Sequence, residues 1–211
     1  MYFRCKLSLV SVLLFFLSLN GFAQSFRAGI LAGVAATQVD GDNLSGYYKA
    51  GPIVGGISNF NWNKKLSTQF EIMYIQKGSR SKVDSLGVQP FYKMNLQYVE
   101  VPLSVIYHFE AKGKWMLETG LSLAWLLKAT ESDAYSTFVS TNFKRTDFCF
   151  HAGIAYQVFP RLYFHARYSY SIVPVRGAVY HERRLLGFGQ FNNLLQFSLR
   201  YYLKDFTPLE K

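Results

Sequence analysis

The sequence predicts an all-β chain: an eight-stranded antiparallel up-and-down transmembrane β-barrel, preceded by a cleaved signal peptide. Three observations predict it. Apolar and polar residues alternate with period two through most of the chain. The connections between alternating segments are tight and long by turns. Aromatic residues collect near both ends of those segments.

At the amino terminus, Arg4 and Lys6 precede the apolar run Leu7 to Leu19, and Asn20-Gly21-Phe22-Ala23 leads into Gln24. A basic start, a short apolar middle and small residues before a cleavage point read as a secretory signal peptide. The run is too short for a membrane-spanning helix, which needs about 20 residues. Residues 1–23 are therefore assigned to the signal peptide and 24–211 to one barrel domain. Cys5 leaves with the signal peptide, so Cys149 has no partner and the barrel holds without a disulfide. The chain carries 23 Lys and Arg against 13 Asp and Glu. An exported basic chain meets phosphate-bearing lipid headgroups and not nucleic acid.

The strands follow in order. Segments 26–36 and 50–62 are rich in Gly and Ala, and their facing stays open. In 66–77, Thr68, Phe70, Ile72 and Tyr74 oppose Gln69, Glu71 and Met73. Val99, Val101, Leu103, Val105 and Tyr107 oppose Glu100, Pro102, Ser104 and His108. Leu117, Leu121 and Leu123 oppose Glu118, Gly120 and Ser122. Phe148, Phe150 and Ile154 oppose Asp147, Cys149 and His151, and Phe164, Ala166 and Tyr168 oppose His165 and Arg167. Leu195, Phe197 and Leu199 oppose Gln196, Ser198 and Arg200. Successive strand residues point to opposite faces, so each segment has one greasy and one mixed face.

Tight connections fall at 61–65, 110–114 and 160–162; long polar ones fall at 37–49, 78–94, 128–145 and 174–192. Outer-membrane barrels combine short periplasmic turns with longer external loops. A strand of about 10 residues rises ~33 Å and, tilted, covers the roughly 25 Å of an apolar band. Trp62, Phe109, Trp115 and Tyr201 then fall at the periplasmic rim, and Tyr74, Trp125 and Tyr170 at the outer rim, as an aromatic girdle. A soluble lipocalin-like lipid carrier also alternates, but has no reason to sort its loops or build two belts.

Several segments resemble the PorT-like outer-membrane β-barrel proteins of Bacteroidetes. Residues 66–79, LSTQFEIMYIQKGS, are similar to that family's LSLQPELLYSQKGS strand, and 96–103, LQYVEVPL, to its LNYLEIPL strand. Residues 167–171, RYSYS, are similar to its RYSYG segment, and 195–201 to its closing strand. The chain departs from the pattern at Phe70, where the family often has Pro, and in running past Leu203. The resemblance implies an outer-membrane barrel assembled by the barrel assembly machinery. It also implies a link to secretion-system or periplasmic proteins, since the family name comes from a secretion component.

With apolar faces toward lipid, Glu71, Glu100, Glu118, His165, Arg167 and Arg200 point inward as a lumen charge network, the carboxylates paired with Arg167, Arg200 or Arg27. Asp147, Cys149 and His151 are too spread along a strand, about 7 Å per pair, to ligate one metal ion. His165 is expected opposite Gln157. No catalytic set, metal site or cofactor motif stands out. Asp133, Ser136, His181 and Glu182 lie in outer loops, where a rim-located membrane enzyme would keep its site. The outer loops lean basic, at Lys49, Lys77, Lys144, Arg145, Arg183 and Arg184 among others, which suits lipopolysaccharide phosphates. The expected function is that of a non-enzymatic outer-membrane barrel with a side-chain-filled lumen, structural or partner-binding through its loops. The carrier and the rim enzyme stand as alternatives.

Overall fold

The computed structural model describes residues 26–82, 91–109, 114–177, 183–184 and 187–204. The segment read as a signal peptide, and His181 and Glu182, lie outside the described residues. The strands are β1 (Phe26–Asp40), β2 (Lys49–Asn61), β3 (Leu66–Lys77), β4 (Lys93–His108), β5 (Trp115–Ser132) and β6 (Thr137–Val139), then β7 (Thr146–Phe159), β8 (Leu162–Ser171), β9 (Arg183–Arg184), β10 (Gly187–Phe188) and β11 (Phe191–Tyr202). β1 to β5, β7, β8 and β11 run antiparallel, each beside its neighbour in the chain, and β11 returns to β1 to close an eight-stranded barrel. β6 folds back on the outer end of β5, and β9 with β10 forms a two-residue hairpin. The barrel begins and ends at the rim that carries the tight turns, where Gly29 pairs with Tyr202 and Phe26 with Phe60.

The facing of the first two strands is now defined. Arg27, Leu31, Ala35 and Val39 of β1 and Ile53, Ile57 and Asn59 of β2 are buried inside, while Ile30, Val34 and Val54 are exposed outside. The exposed set continues around the wall through Ile72, Leu103, Leu121, Phe150, Phe164 and Leu199. A closed ladder leaves no unpaired backbone facing lipid, which is the condition for crossing a bilayer with strands.

The strands reach further outward than expected. β1 runs to Asp40, β4 starts at Lys93, β5 ends at Ser132 and β11 starts at Phe191, all inside segments read as loops. The reason is a reversal of polarity along the wall. Within the apolar band, greasy side chains face out and polar ones face in. Above it, Gln38, Gln76, Asn95, Gln97 and Thr130 face out, while Val39, Ile75, Met94, Leu96 and Ala129 are buried inside with Phe143, Val175 and Leu194. In the outer third the outward face is thus polar, and apolar side chains share the interior with the buried Lys49, Glu131 and Asn192. On the β4–β5 pair, the longest at 16 and 18 residues, the reversal coincides with a bulge. Tyr98 opposes Leu126 and Gln97 opposes Lys128, leaving Leu127 as the extra residue. A second irregularity between Gln157 and Phe159 leads into a turn with Arg161 at φ 70.

At the β1–β11 seam, Gly33 faces Ser198, and a Cβ there would run into the Phe197 carbonyl oxygen and stand 2.6 Å from the Ser198 Cα. Closure of the barrel therefore requires glycine at this position. The folded wild-type protein is expected to run faster on SDS gels unboiled than boiled. Gly33→Val is expected to abolish the fast band, and an unchanged shift in that variant would show that the seam tolerates a side chain.

Candidate functional site: the charged lumen and the outer mouth

Four strands send one charged side chain each to the middle of the lumen: Glu71 from β3, Glu118 from β5, Arg167 from β8 and Arg200 from β11. Arg167 grips Glu71 through Nη1 at 3.2 Å and Nη2 at 2.7 Å. Its Nε donates to Glu118 Oε1 at 2.8 Å, and its Nη2 also touches that oxygen. Arg200 crosses the other way, Nη1 to Glu118 Oε2 at 2.7 Å and Nη2 to Glu71 Oε1 at 2.8 Å. All four are buried. Two carboxylates bridged by two guanidiniums make a neutral square, the arrangement in which buried charge is tolerable. Around it, Gln69 Nε2 donates to Glu71 at 2.6 Å, and the Tyr202 hydroxyl donates to Gln69 at 2.6 Å. Arg27 donates to Asn59 at 2.9 Å and lies over the Tyr202 ring.

His165 and His151 flank Glu118 at 3.4 and 3.7 Å, and His151 Nε2 shares a 2.8 Å hydrogen bond with the Ser104 hydroxyl. His165 pairs opposite Ala155 and not opposite Gln157, because the irregularity beyond Gln157 shifts the register. The imidazoles fit because a Cβ on Gly120 would stand 2.8 Å from His151 Nε2, and one on Gly153 would stand 2.9 Å from His165 Nε2. Strand parity in the sequence puts both glycines on the mixed face, but it gives no sign of the imidazoles they make room for.

Glu100 does not join the arginines. It belongs to a second cluster nearer the outside, where Lys77 Nζ lies 2.8 Å from Glu100 and 2.9 Å from Asp147. The Ser122 hydroxyl donates to Glu100 at 2.5 Å, and Ser171 and Asn192 donate to Asp147 at 2.7 and 2.8 Å. Cys149, a buried free thiol, sits 3.5 Å from Lys77 Nζ. Lys77 and Lys49, read as parts of the basic outer rim, are both buried inside the barrel. Lys77 shares the strand parity of Glu71, which was the available signal. Among the described residues, no group of three or more His, Cys, Asp or Glu side chains comes together as metal ligands.

Outside, Trp62, Phe109, Trp115 and Tyr201 stand exposed at the tight-turn end and Trp125 at the other, while Tyr74 and Tyr170 are half-buried. Phe60 meets the Trp62 ring edge-on, and Trp115 packs on Tyr156. Lys144 and Arg145 are exposed; only the backbone of Arg183 and Arg184 is described, in the β9–β10 hairpin. β5 leaves β7 at the Trp125–Thr146 pair and takes up β6 at Thr130. A cleft of about 520 Å³ opens between, lined by Trp125, Leu127, Val139, Lys128 and Arg145. Asp133 accepts hydrogen bonds from the Tyr135 and Ser136 backbone and from the Ser136 hydroxyl at 3.2 Å, which holds its carboxyl below the usual range and marks a loop cap.

A closed antiparallel barrel with a greasy wall and a charged interior is an outer-membrane β-barrel. Residues 22–176 match the family described as outer membrane protein beta-barrel domain, and the chain belongs to that family. A comparison with curated proteins finds no match. Among solved structures, Neisserial surface protein A is similar at 16% identity over 82% of this chain and 96% of that one, with a TM-score of 0.50. Ail of Yersinia pestis, in complex with the heparin analogue sucrose octasulfate, is similar at 12% identity over 85% and 99%, with a TM-score of 0.49. OprG from Pseudomonas aeruginosa follows at 10% identity over 83% and 94%, with a TM-score of 0.34. At these identities the likeness is one of fold.

Removing one member of the central square strands a buried charge, which costs roughly 3–5 kcal/mol. Arg167→Leu is therefore expected to lower the stability of the refolded protein in urea by about that amount. Lys128→Ala, at an exposed position, is expected to stay within ~0.5 kcal/mol. Equal midpoints for the two variants would refute a stabilising role for the square.

Proposed function

We propose that the protein is a non-enzymatic, non-conducting outer-membrane barrel that works through its ends, as a structural or partner-binding element. The observation that carries this reading is the neutral square of Glu71, Glu118, Arg167 and Arg200, which crosses the middle of the lumen with every member buried. An eight-stranded barrel has an interior just wide enough for side chains, and here those side chains are bonded to one another. A soluble lipid carrier needs the reverse polarity, an apolar interior beneath a polar surface. A rim enzyme built on Asp133 and Ser136 would have to break a pair already used to cap a loop.

The basic outer rim supports a contact with lipopolysaccharide. Lys144 and Arg145, with Lys128 on the cleft beside Trp125 and Leu127, combine cations with exposed apolar side chains near the level where the wall turns from greasy to polar. Phosphate and acyl chain are the two parts of an outer-leaflet lipid that such a surface would engage. Arg183 and Arg184 would extend the same field. The strand motifs at 66–79 and 96–103 support a place among PorT-like proteins, and with it the role of an accessory to protein secretion that meets periplasmic partners at the tight-turn end. Export by a signal peptide and insertion by the barrel assembly machinery complete the reading.

Purified protein in planar bilayers is expected to give no stable porin-sized conductance steps; well-resolved open channels from the wild type would sink the non-conducting reading. In cells, Lys144→Glu with Arg145→Glu is expected to raise sensitivity to detergent and alter that to polymyxin. Unchanged sensitivity to both would remove the lipopolysaccharide contact.

A further inference from the structure

The tight-turn rim carries a concentrated positive charge. Its three connections, 61–65, 110–114 and 160–162, hold Lys64, Lys65, Lys112, Lys114 and Arg161 against the single acidic Glu110. That is five basic residues to one acidic in 13, whereas the four long connections hold ten to six in 67. Every described carboxylate lies at the level of the central square or further out, so none of these opposes the turn cations. Glu110 and Lys112 lie outside the described residues.

The turns set the cations out as a ring. The Lys65 carbonyl accepts from the His108 N–H at 2.7 Å, that of Lys114 from Gln157 at 2.7 Å and that of Arg161 from Tyr202 at 2.8 Å. Each turn is thereby tied to the strand beyond it, β4, β7 and β11 in order. The remaining sector is the β1–β11 seam, where the Leu203 N–H donates to the Ala28 carbonyl at 2.9 Å and the exposed Lys204 follows. In the first turn, Asn63 Oδ1 accepts from the Lys65 and Leu66 N–H groups at 2.8 and 2.9 Å, which fixes Lys64 at the tip. Lys64, Lys65 and Lys114 are all exposed.

Just above these cations the wall bears its aromatic belt. Phe26 packs on Phe60, Tyr107 meets Phe109 edge-on, and the exposed Trp62 is anchored by its Nε1 donating to Thr68 Oγ1 at 2.7 Å. Such rings settle where acyl chains give way to headgroups. The cations therefore stand at headgroup level, and a lysine stem can lie along apolar wall while its ammonium reaches the polar layer.

We propose that this collar binds the phosphates of anionic phospholipids and gathers acidic headgroups around the tight-turn rim. The inference rests on the membrane placement of the barrel and concerns the leaflet opposite the lipopolysaccharide contact. A lipid annulus touches the wall on all sides, as these cations do, whereas an acidic protein docking from one side would call for charge gathered there. One cation beside an anionic surface favours it by about fivefold.

The test uses the protein's three tryptophans. Trp125→Phe leaves Trp62 and Trp115, both at this rim, and the protein is reconstituted in phosphatidylcholine bilayers. Brominated phosphatidylglycerol or brominated phosphatidylcholine is then added as the quencher. Half-maximal quenching is expected at about fivefold lower mole fraction for the anionic lipid, with the difference shrinking in 1 M NaCl, where screening acts within ~3 Å. Lys64→Gln with Lys65→Gln and Lys114→Gln is expected to remove most of the preference while the gel mobility shift persists, which separates the collar from the integrity of the barrel. Equal quenching by the two lipids would overturn the proposal and leave the collar to an acidic periplasmic protein. A preference untouched by salt, or retained in full by the folded triple variant, would overturn it as well.

Discussion

The rest of the molecule hangs on one electrostatic requirement: charge carried into the interior of a membrane barrel must be matched there. Glu71, Glu118, Arg167 and Arg200 come from β3, β5, β8 and β11, of which only β8 and β11 are neighbours in the wall. Each arginine reaches both carboxylates. The square therefore ties β3 and β5 to each other and to the β8–β11 pair, three sectors of the circumference that backbone ladders link only through intervening strands. Breaking it would leave a charge with neither water nor a counter-ion, so its members act as a unit. Exposed pairs elsewhere on the surface have no comparable leverage, since solvent and salt screen them.

The square also explains features of the wall that look unrelated to charge. Imidazoles beside Glu118 need space, and Gly120 and Gly153 supply it on the facing strands. Amides and a phenol below the square, Gln69, Asn59 and Tyr202, pass hydrogen bonds from Glu71 toward the tight-turn rim. Above it lies the Lys77 cluster, in which one ammonium serves two carboxylates and hydroxyls or amides fill the remaining acceptor sites. Higher still apolar side chains such as Val39, Met94, Val175 and Leu194 join the interior, beside the buried Lys49, Glu131 and Gln190. The sequence of layers follows the medium outside the wall. Where lipid covers the outer face, the polar residues lie on the inner face beside apolar ones such as Leu31, Ile57, Met73 and Ile106; where water covers it, polar residues face outward too.

That reversal marks how far the sequence could be read. Inside the apolar band, parity along a strand tells in from out, and residues such as Glu118 and Arg167 declare their face through their neighbours Leu117 and Ala166. The same parity places Lys77 inside with Glu71, Met73 and Ile75, yet a lysine at the end of a strand beside Gly78 reads as a rim residue when charge is weighed before parity. Past the band the alternation continues with its sense inverted, so Asn95 and Gln97 facing out looks like a loop to a reading that expects greasy residues outside. Pairings across strands were beyond reach because they depend on bulges. The extra Leu127 and the shift after Gln157 each move a register by a residue or more, and neither has a signature such as glycine at the site. The partition of carboxylates between Arg167, Arg200 and Lys77 follows from those registers.

Matched charge also bears on why such an interior is ionic at all. Well-packed apolar side chains could fill a lumen of this width without the desolvation cost of four ions. They could not, however, distinguish one pairing of strands from another as sharply. A slip of one residue exchanges the two faces of a strand, and a slip of two keeps the faces but moves each side chain about 7 Å along the axis. An apolar lumen would survive the second kind of slip with modest repacking. Here it would carry Arg167 or Glu118 past its partner and leave both buried without a counter-charge. The square thus penalises the misregistrations that alternation alone permits. That argument matters most at β1 and β2, whose small Gly and Ala side chains give the barrel little steric information of its own. Those two strands contribute no member to the square, and their register follows from the strands on either side, β3 and β11, which both do.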